Sequence, residues 1–238
     1  MLRRVALLAV AAALAAGLPA AAAEKGHGFY VLALSWEPAF CEASGDKPEC
    51  RNEPEADARR LSLHGLWPRE QYCGVAPATV EADRRGDWSA LPAPDLRPQT
   101  RDDLMDAMPG AQSALDRHEW IKHGTCSGVS ADRYFARAVL FEGTINASAV
   151  GELLARRSGR RLDQGELKAA FDTAFGAGAG DRVRLACVED GGRRLISEIT
   201  VGLYGDVMGA GGIGELIAAA NPTDPGCGGG ILDPVGPQ

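Results

Sequence analysis

Four ionisable side chains lie within six consecutive residues of the segment HEWIKHGTC, which runs from 118 to 126. They are His118, Glu119, Lys122 and His123, and the whole chain has four histidines. On a helix, which turns about 100° per residue, Glu119, Lys122 and His123 fall on one face. Such charges also occur on a solvated helix face. The segment is therefore a candidate metal site, a candidate nucleophile site or a candidate acid–base site.

The segment begins like the zinc motif H-E-x-x-H, but its residue types exclude that motif. The second histidine would stand at 122, where this chain has Lys122, and an ammonium group has no lone pair for a metal. His123 lies about 140° around a helix from His118, too far for both to bind one ion. We expect no metal and no other cofactor. The alternative is a metal-dependent phosphodiesterase, which would contain bound zinc.

Cys126 could be a nucleophile beside His123 or one half of a disulfide. The chain has six cysteines, an even number, and no C-x-x-C motif. In an oxidising compartment the expected outcome is three disulfides, and the sequence alone leaves the pairing open. The six are Cys41, Cys50, Cys73, Cys126, Cys187 and Cys227.

Acid–base chemistry with two imidazoles is the remaining possibility. The segment LSLHGLWP, from 61 to 68, supplies a further histidine, His64, just before Trp67 and Pro68. At mildly acidic pH, one histidine can be neutral and act as a base while another is protonated and acts as an acid. A nearby carboxylate and ammonium would orient them and stabilise developing charge.

RNA is the substrate that suits these groups without a metal. Its 2'-OH is an internal nucleophile, so catalysis requires only proton removal, protonation of the leaving 5'-oxygen and stabilisation of a phosphorane-like anion. Lys122 suits the last task. Trp67 offers a face on which a base of single-stranded RNA could stack, although a tryptophan at this position could equally belong to the core.

The surrounding elements predict an α+β fold. Residues 28–36 read as a central strand that Pro38 terminates, 42–60 as a surface loop, and 61–68 as a short strand that presents His64 and Trp67. A hairpin is predicted from strands at 182–189 and 194–204 around a Gly-containing turn. Strands and helices are mixed without a βαβ alternation, which favours one domain with a mostly antiparallel sheet flanked by helices. Helices are predicted at 102–108, 112–122, 131–142, 147–157 and 163–175.

The first 23 residues have the pattern of a secretory signal peptide. Arg3 and Arg4 precede an apolar run, and small residues precede Glu24. We expect residues 24–238 to form the mature domain, secreted or periplasmic, monomeric and not bound to a membrane.

Removal of 1–23 takes away two arginines and no acid, so the net charge of −7 becomes −9. An acidic chain of this kind must hold an RNA substrate by local contacts rather than by long-range attraction.

Three segments resemble the ribonuclease T2 family, which includes fungal RNase Rh and the plant S-RNases. HGLWP at 64–68 and HEWIKHGTC at 118–126 resemble the two active-site segments of that family, and FYVLALSWEPAFC at 29–41 resembles its first core strand. The resemblance implies an α+β fold and a metal-independent endoribonuclease of low base specificity. It also implies 2',3'-cyclic phosphate products that are slowly hydrolysed to 3'-phosphates.

The resemblance further implies a role for each residue of the site. His64 is expected to act as general acid and His123 as general base. Glu119 and Lys122 are expected to stabilise the transition state. His118 is expected to contact phosphate, and Trp67 to line the first base site.

The resemblance also suggests disulfide pairs. Cys73 would pair with Cys126, and Cys187 with Cys227, which leaves Cys41 for Cys50. The chain departs from the family in two ways: it has fewer cysteines than many members, and Glu37 stands where a neutral residue is expected. The loops expected to contact the bases, within 69–115, do not align with the family, so base preference stays open. A second hypothesis is a catalytically weak family member that acts as an extracellular binding protein.

Overall fold

The computed structural model describes residues 26–51 and 54–236. The predicted signal peptide at 1–23 lies outside these residues. Six strands occur in the described part of the chain: β1 (His27–Ser35), β2 (Ser62–Pro68), β3 (Arg161–Asp163), β4 (Val183–Asp190), β5 (Arg193–Asp206) and β6 (Gly229–Ile231). The helices are α1 (Glu37–Ser44), α2 (Pro77–Arg84), α3 (Pro98–Ala107), α4 (Leu115–Lys122), α5 (Ala131–Asn146), α6 (Ala149–Arg157), α7 (Gln164–Phe175) and α8 (Ile213–Ala219).

The strands form one sheet in which β1 lies between β2 and β5. The sheet order is β2-β1-β5-β6-β3, and β4 pairs with the other edge of β5. All pairs are antiparallel except β5 with β6. The fold is thus a mixed α+β single domain. The prediction of a mostly antiparallel sheet flanked by helices is confirmed, including the central position of β1 and the β4–β5 hairpin.

The core lies on one face of the sheet. Side chains alternate along a strand, so Tyr30, Leu32 and Leu34 of β1 point to the same face, and all three are buried in the main hydrophobic cluster. Phe135 and Phe141 of α5 belong to the same cluster. Ala33 and Ser35 lie on the opposite face of β1. In the sheet, Ala33 is paired with Gly65 of β2, and Ser35 with Glu198 of β5. This second face carries the candidate site.

Two predicted boundaries were wrong. The first strand ends before Pro38, as expected, but the loop predicted from 42 begins later, because α1 starts at Glu37 with Pro38 in its first turn and continues to Ser44. A proline is tolerated there, since the first-turn N–H groups have no partner within the helix. The helix predicted from 112 begins at Leu115 instead. It follows a 3-10 turn at Pro109–Ser113 and a left-handed Ala114 with φ of 63°.

Three disulfides cross-link the described part of the chain. They join Cys41 to Cys50, Cys73 to Cys126 and Cys187 to Cys227, the same pairs that the family resemblance suggested. Among the described residues, no helix has both the length and the apolar character needed to cross a membrane.

The side chain of Asn146 connects the end of α5 to the start of β2. Its Oδ1 accepts a hydrogen bond from the backbone N–H of Leu61 at 2.9 Å, and its Nδ2 donates to the backbone oxygen of Leu61 at 2.9 Å. Leu61 is fully buried, so these backbone groups depend on protein partners. Asn146 therefore holds the entry to the strand that carries His64.

We expect Asn146→Ala to destabilise the protein by about 2 kcal/mol, because two backbone groups lose their partners in a water-poor region. Urea unfolding with the disulfides intact measures this change. Asn221→Ala, at an exposed position, is the matched control and should leave the free energy of unfolding within about 0.5 kcal/mol. Equal stabilities of the two variants would contradict the role assigned to Asn146.

Candidate active site

A β-bulge in β2 sets the position of His64. Ala33 pairs with Gly65 and Leu34 pairs with Leu63, so His64 is an extra residue on β2 with no partner on β1. Bulges of this type redirect a side chain and occur often beside active sites. His64 remains about one-third exposed.

Glu198 orients the His64 ring. Its Oε2 lies 2.7 Å from His64 Nδ1, which leaves Nε2 as the nitrogen that can exchange a proton with a ligand. Burial lowers the pKa of His64, but the hydrogen bond to Glu198 and the negative charges of Glu119 and Glu198 outweigh it. The net pKa is raised above the ordinary value of 6.5.

Glu119 lies at the centre of the cluster and is 1% exposed. Its Oε2 accepts a hydrogen bond from Trp67 Nε1 at 2.7 Å. Its Oε1 lies 3.8 Å from His64 Nε2 and 3.8 Å from His118 Nε2, and it has no hydrogen-bond partner among the described residues. Burial raises the pKa of Glu119 to about 7, even though His64 and the Trp67 hydrogen bond act to lower it.

His123 has a different environment from His64. It follows the last residue of α4, is 4% exposed, and stacks on the Trp67 ring with centroids 5.4 Å apart. Burial lowers the pKa of His123 to about 3, and the positive charge of Lys122 adds to this effect. His123 is therefore a neutral imidazole at the pH values at which His64 is protonated.

His118 is fixed by Asp83 of α2. Its Nδ1 lies 2.7 Å from Asp83 Oδ1, while Tyr72 donates its hydroxyl to the other oxygen of Asp83 at 2.8 Å. Trp88 stacks on the His118 ring with centroids 4.4 Å apart. Burial lowers the pKa of His118, against the raising effect of Asp83. The free Nε2 thus points toward Glu119.

The structure brings together the predicted residues of both segments. Glu119 and His123, predicted to share a helix face, both contact Trp67. Lys122 ends α4, and its charge contributes to lowering the pKa values of His118 and His123. The loop that follows β2 also contacts the end of α4. The backbone N–H of Tyr72 in this loop donates a hydrogen bond to the backbone carbonyl of Lys122 at 2.8 Å.

Two glycines permit this close packing. A Cβ on Gly65 would overlap Glu119 Oε2 and Trp67 Nε1, the two atoms of the central hydrogen bond. A Cβ on Gly124 would overlap the Trp120 ring. The glycine in HGLWP is therefore a steric requirement of the contact between β2 and α4, and the glycine in KHGTC leaves space for the Trp120 ring.

Sequence reasoning missed Glu198 and Asp83. Glu198 is an acidic residue in the middle of a strand, near the apolar Ile196 and Ile199, a signal that could have marked it. Asp83 stands in an exposed-looking segment with several charges and gave no such signal. Both act on histidines that are distant in sequence, 134 residues from Glu198 and 35 from Asp83.

The cysteines do not supply a nucleophile or a metal site. Cys126 is bonded to Cys73. Among the described residues, one group has the spacing of metal ligands, namely Glu37 with Cys41 and Cys50. Those two sulfurs are joined in a disulfide, so neither is available as a thiolate ligand.

We expect Glu198→Gln to lower the pKa of His64, because a neutral amide replaces the carboxylate that stabilises the imidazolium. An NMR titration of the histidine Cε1 protons measures this. His27, which is exposed, is an internal reference that should not move. An unchanged His64 pKa in this variant would show that Glu198 does not set the protonation state of His64.

Comparison with known proteins places this geometry in a family. The model of the Ribonuclease T2 family matches residues 27–210. Ribonuclease I of Escherichia coli K12 is 32% identical over 208 residues, which cover 76% of this chain and 76% of that protein. A ribonuclease of Aeromonas hydrophila is 35% identical over 105 residues, 43% of this chain and 39% of that protein.

Solved structures agree in fold. An RNase MC1 mutant in complex with 5'-UMP superposes with a TM-score of 0.53 at 18% identity, covering 76% of this chain and 90% of that one. RNase NT in complex with 5'-AMP gives a TM-score of 0.51 at 19% identity, covering 87% of this chain and 98% of that one. With the match over residues 27–210 and the similarity to Ribonuclease I, these findings show that the chain belongs to the ribonuclease T2 family.

Proposed function

We propose that this protein is an endoribonuclease that cleaves single-stranded RNA by metal-independent transphosphorylation. The observation that carries the proposal is the contrast between the surroundings of two histidines. His64 lies 2.7 Å from Glu198 and 3.8 Å from Glu119, which raise its pKa, whereas His123 is buried against Trp67 beside Lys122, which lowers its pKa. One base and one acid at the same pH are what this reaction requires.

The first step is an internal displacement at phosphorus. His123 takes the proton of the 2'-OH, and the 2'-oxygen forms a bond to phosphorus. His64 gives its Nε2 proton to the 5'-oxygen as the bond from phosphorus to that oxygen breaks. The products are a 2',3'-cyclic phosphate and a strand with a free 5'-OH. In a second, slower step, water attacks the cyclic phosphate with the two histidines in exchanged roles and leaves a 3'-phosphate.

The other polar groups stabilise the charge that develops on phosphorus. Lys122 supplies a cation, and His118, held by Asp83, presents Nε2 toward the same region. With a pKa of about 7, Glu119 is partly protonated near neutral pH, so its Oε1 can donate a hydrogen bond to a phosphoryl oxygen. A bound phosphodiester also adds negative charge beside His123. That charge raises the pKa of His123 from its value in the free protein and makes it a stronger base.

The two faces of the Trp67 ring have different partners in this proposal, His123 on one face and a substrate base on the other. One face stacks on His123, so a base of the substrate can stack only on the opposite face. The contact between Trp67 and His123 supports the proposal that Trp67 binds the nucleotide whose 2'-OH is attacked, because that hydroxyl must lie beside His123.

The proposed location is the periplasm or the outside of the cell, with the protein as a monomer. The three disulfides support an oxidising compartment. The basic start and the apolar run of the first 23 residues support export.

We expect His64→Ala and His123→Ala each to lower kcat/KM on RNA by about 100- to 10,000-fold, the usual contribution of a general acid or base. His27→Ala is the matched control and should retain full activity. Cleavage by the unaltered protein should continue in EDTA and should leave 2',3'-cyclic phosphates early in the reaction. Loss of activity in EDTA, or 5'-phosphate products, would refute the mechanism. Full activity of both histidine variants would contradict the roles assigned to His64 and His123, and the absence of RNA cleavage by the unaltered protein would favour a binding role.

The pH profile of kcat/KM should be bell-shaped. Activity should rise at acid pH as His123 loses its proton, and it should fall on the alkaline side as His64 loses the proton that it must donate. Because the pKa of His64 is raised, the alkaline limb should lie above pH 6.5. In Glu198→Gln this limb should move to lower pH while the acid limb stays in place. Activity that still increases above pH 9 would contradict His64 as the acid.

A further inference from the structure

A cavity of about 250 Å³ lies on the sheet face that carries the site, and we call it the arginine trough. Val31 of β1 and Gly202 of β5, which pair with each other in the sheet, line it. Arg69, directly after β2, and Arg182, directly before β4, line it as well. No acidic residue is among the residues that line the trough.

Arg182 is held in place without an ion pair to a described carboxylate. Its Nε donates to the backbone oxygen of Ala220 at 3.0 Å, and its Nη1 donates to the backbone oxygen of Gly178 at 2.6 Å. Asp181, the preceding residue, pairs instead with Lys168 at 2.6 Å. A guanidinium has five N–H donors, so Arg182 has donors left for a ligand.

Arg69 is exposed and forms no hydrogen bond or ion pair with the described residues through its side chain. Two guanidinium groups without carboxylate partners at one cavity stand out in a chain with a net charge of −7. The paired N–H donors of a guanidinium match the oxygens of a phosphate. The charge of the trough therefore indicates a phosphate group as its ligand.

The strand register places the trough beyond Trp67, on the side away from His64. Trp67 pairs with Val31, and Val31 pairs with Gly202, so these three residues form a row across one face of the sheet. Glu198, which holds His64, lies four residues before Gly202 on β5, or about 13 Å along the strand. An RNA strand that runs from His64 to Trp67 reaches the trough next.

We propose that the arginine trough binds the phosphate on the 5' side of the nucleotide at Trp67. In the proposed function, on which this inference rests, the nucleoside beside His64 leaves and the nucleotide at Trp67 keeps the attacked 2'-oxygen. The 5'-phosphate of that nucleotide is the next charged group of the strand, and Arg69 and Arg182 bind it. The trough thus supplies a local contact by which an acidic protein holds RNA.

Two dinucleotides that differ by one phosphate test the proposal. UpU has no group for the trough, whereas pUpU carries a 5'-phosphate there, and each has a single phosphodiester bond to cleave. We expect kcat/KM for pUpU to exceed that for UpU by about tenfold, the ordinary effect of a hydrogen bond to a charged group. Because the contact is remote from the reacting phosphorus, the difference should lie mainly in KM.

The ratio of the two kcat/KM values should fall to about one to three in Arg69→Ala, since a screened second arginine keeps only a small effect. Arg182→Gln should also lower it, but Arg182 binds two backbone oxygens, so Arg69→Ala decides the test. Arg160→Ala is the matched control, because Arg160 is exposed and precedes β3, at the opposite edge of the sheet from β2. It removes the same charge and should preserve the ratio. Equal loss in Arg69→Ala and Arg160→Ala would overturn the proposal.

A binding measurement separates this inference from the proposed function. His64 does not line the trough, so calorimetry with His64→Ala should show pUpU bound about tenfold more tightly than UpU. Equal cleavage of UpU and pUpU by the unaltered protein would overturn the phosphate site and leave the endoribonuclease in place. If neither were cleaved, the proposed function would fail. The two affinities would then decide whether the trough binds phosphate, with equal values overturning it.

Discussion

The hydrogen bond from Trp67 to the buried carboxyl group of Glu119 joins the two halves of the site. One partner lies on β2 and the other on α4, and the two atoms are 2.7 Å apart. A buried carboxyl group is tolerated only where it has such partners, so the helix and the strand must stay in close contact. Gly65 permits this contact because it places no side chain between them. The positions of His64, His118 and His123 around Glu119 all depend on this contact.

His64 and His123 have the same side chain, but their surroundings shift their pKa values in opposite directions. His64 has a carboxylate on Nδ1 and a second one near Nε2, and both stabilise its charged form. His123 is buried and has a cation next to it in the chain, and both disfavour the charged form. Environments that push the pKa values of two titratable groups apart suit one group to be an acid and the other a base, as the proposed function requires. The same principle explains Glu119, whose burial raises its pKa into the range where it can be a proton donor.

Much of the fold was predictable because its signals are local. The alternation of apolar residues identified β1, β2 and the β4–β5 hairpin, and α5 to α7 follow from helical periodicity. The errors also have local causes. The first strand ends before Pro38, as expected, but α1 was missed, because a helix also accepts proline in its first turn. Ala114 adopts a left-handed backbone conformation, which cannot be predicted from an alanine in the sequence. The short strand β6 consists of Gly229, Gly230 and Ile231, and it is a strand only because β3 and β5 pair with it.

The sequence by itself determined which chemical groups are available. It brought Glu119, Lys122 and His123 together on one turn of chain, and Lys122 excluded a zinc motif, because these relations depend only on residue type and helical spacing. The tertiary structure decided the protonation states and the partners. Glu198 and Asp83 reach their histidines through sheet pairing and helix packing. The low pKa of His123 comes from burial against Trp67. Hydrogen bonds and desolvation act between neighbours in space, so residue types and helical spacing alone do not give the opposite pKa shifts of His64 and His123.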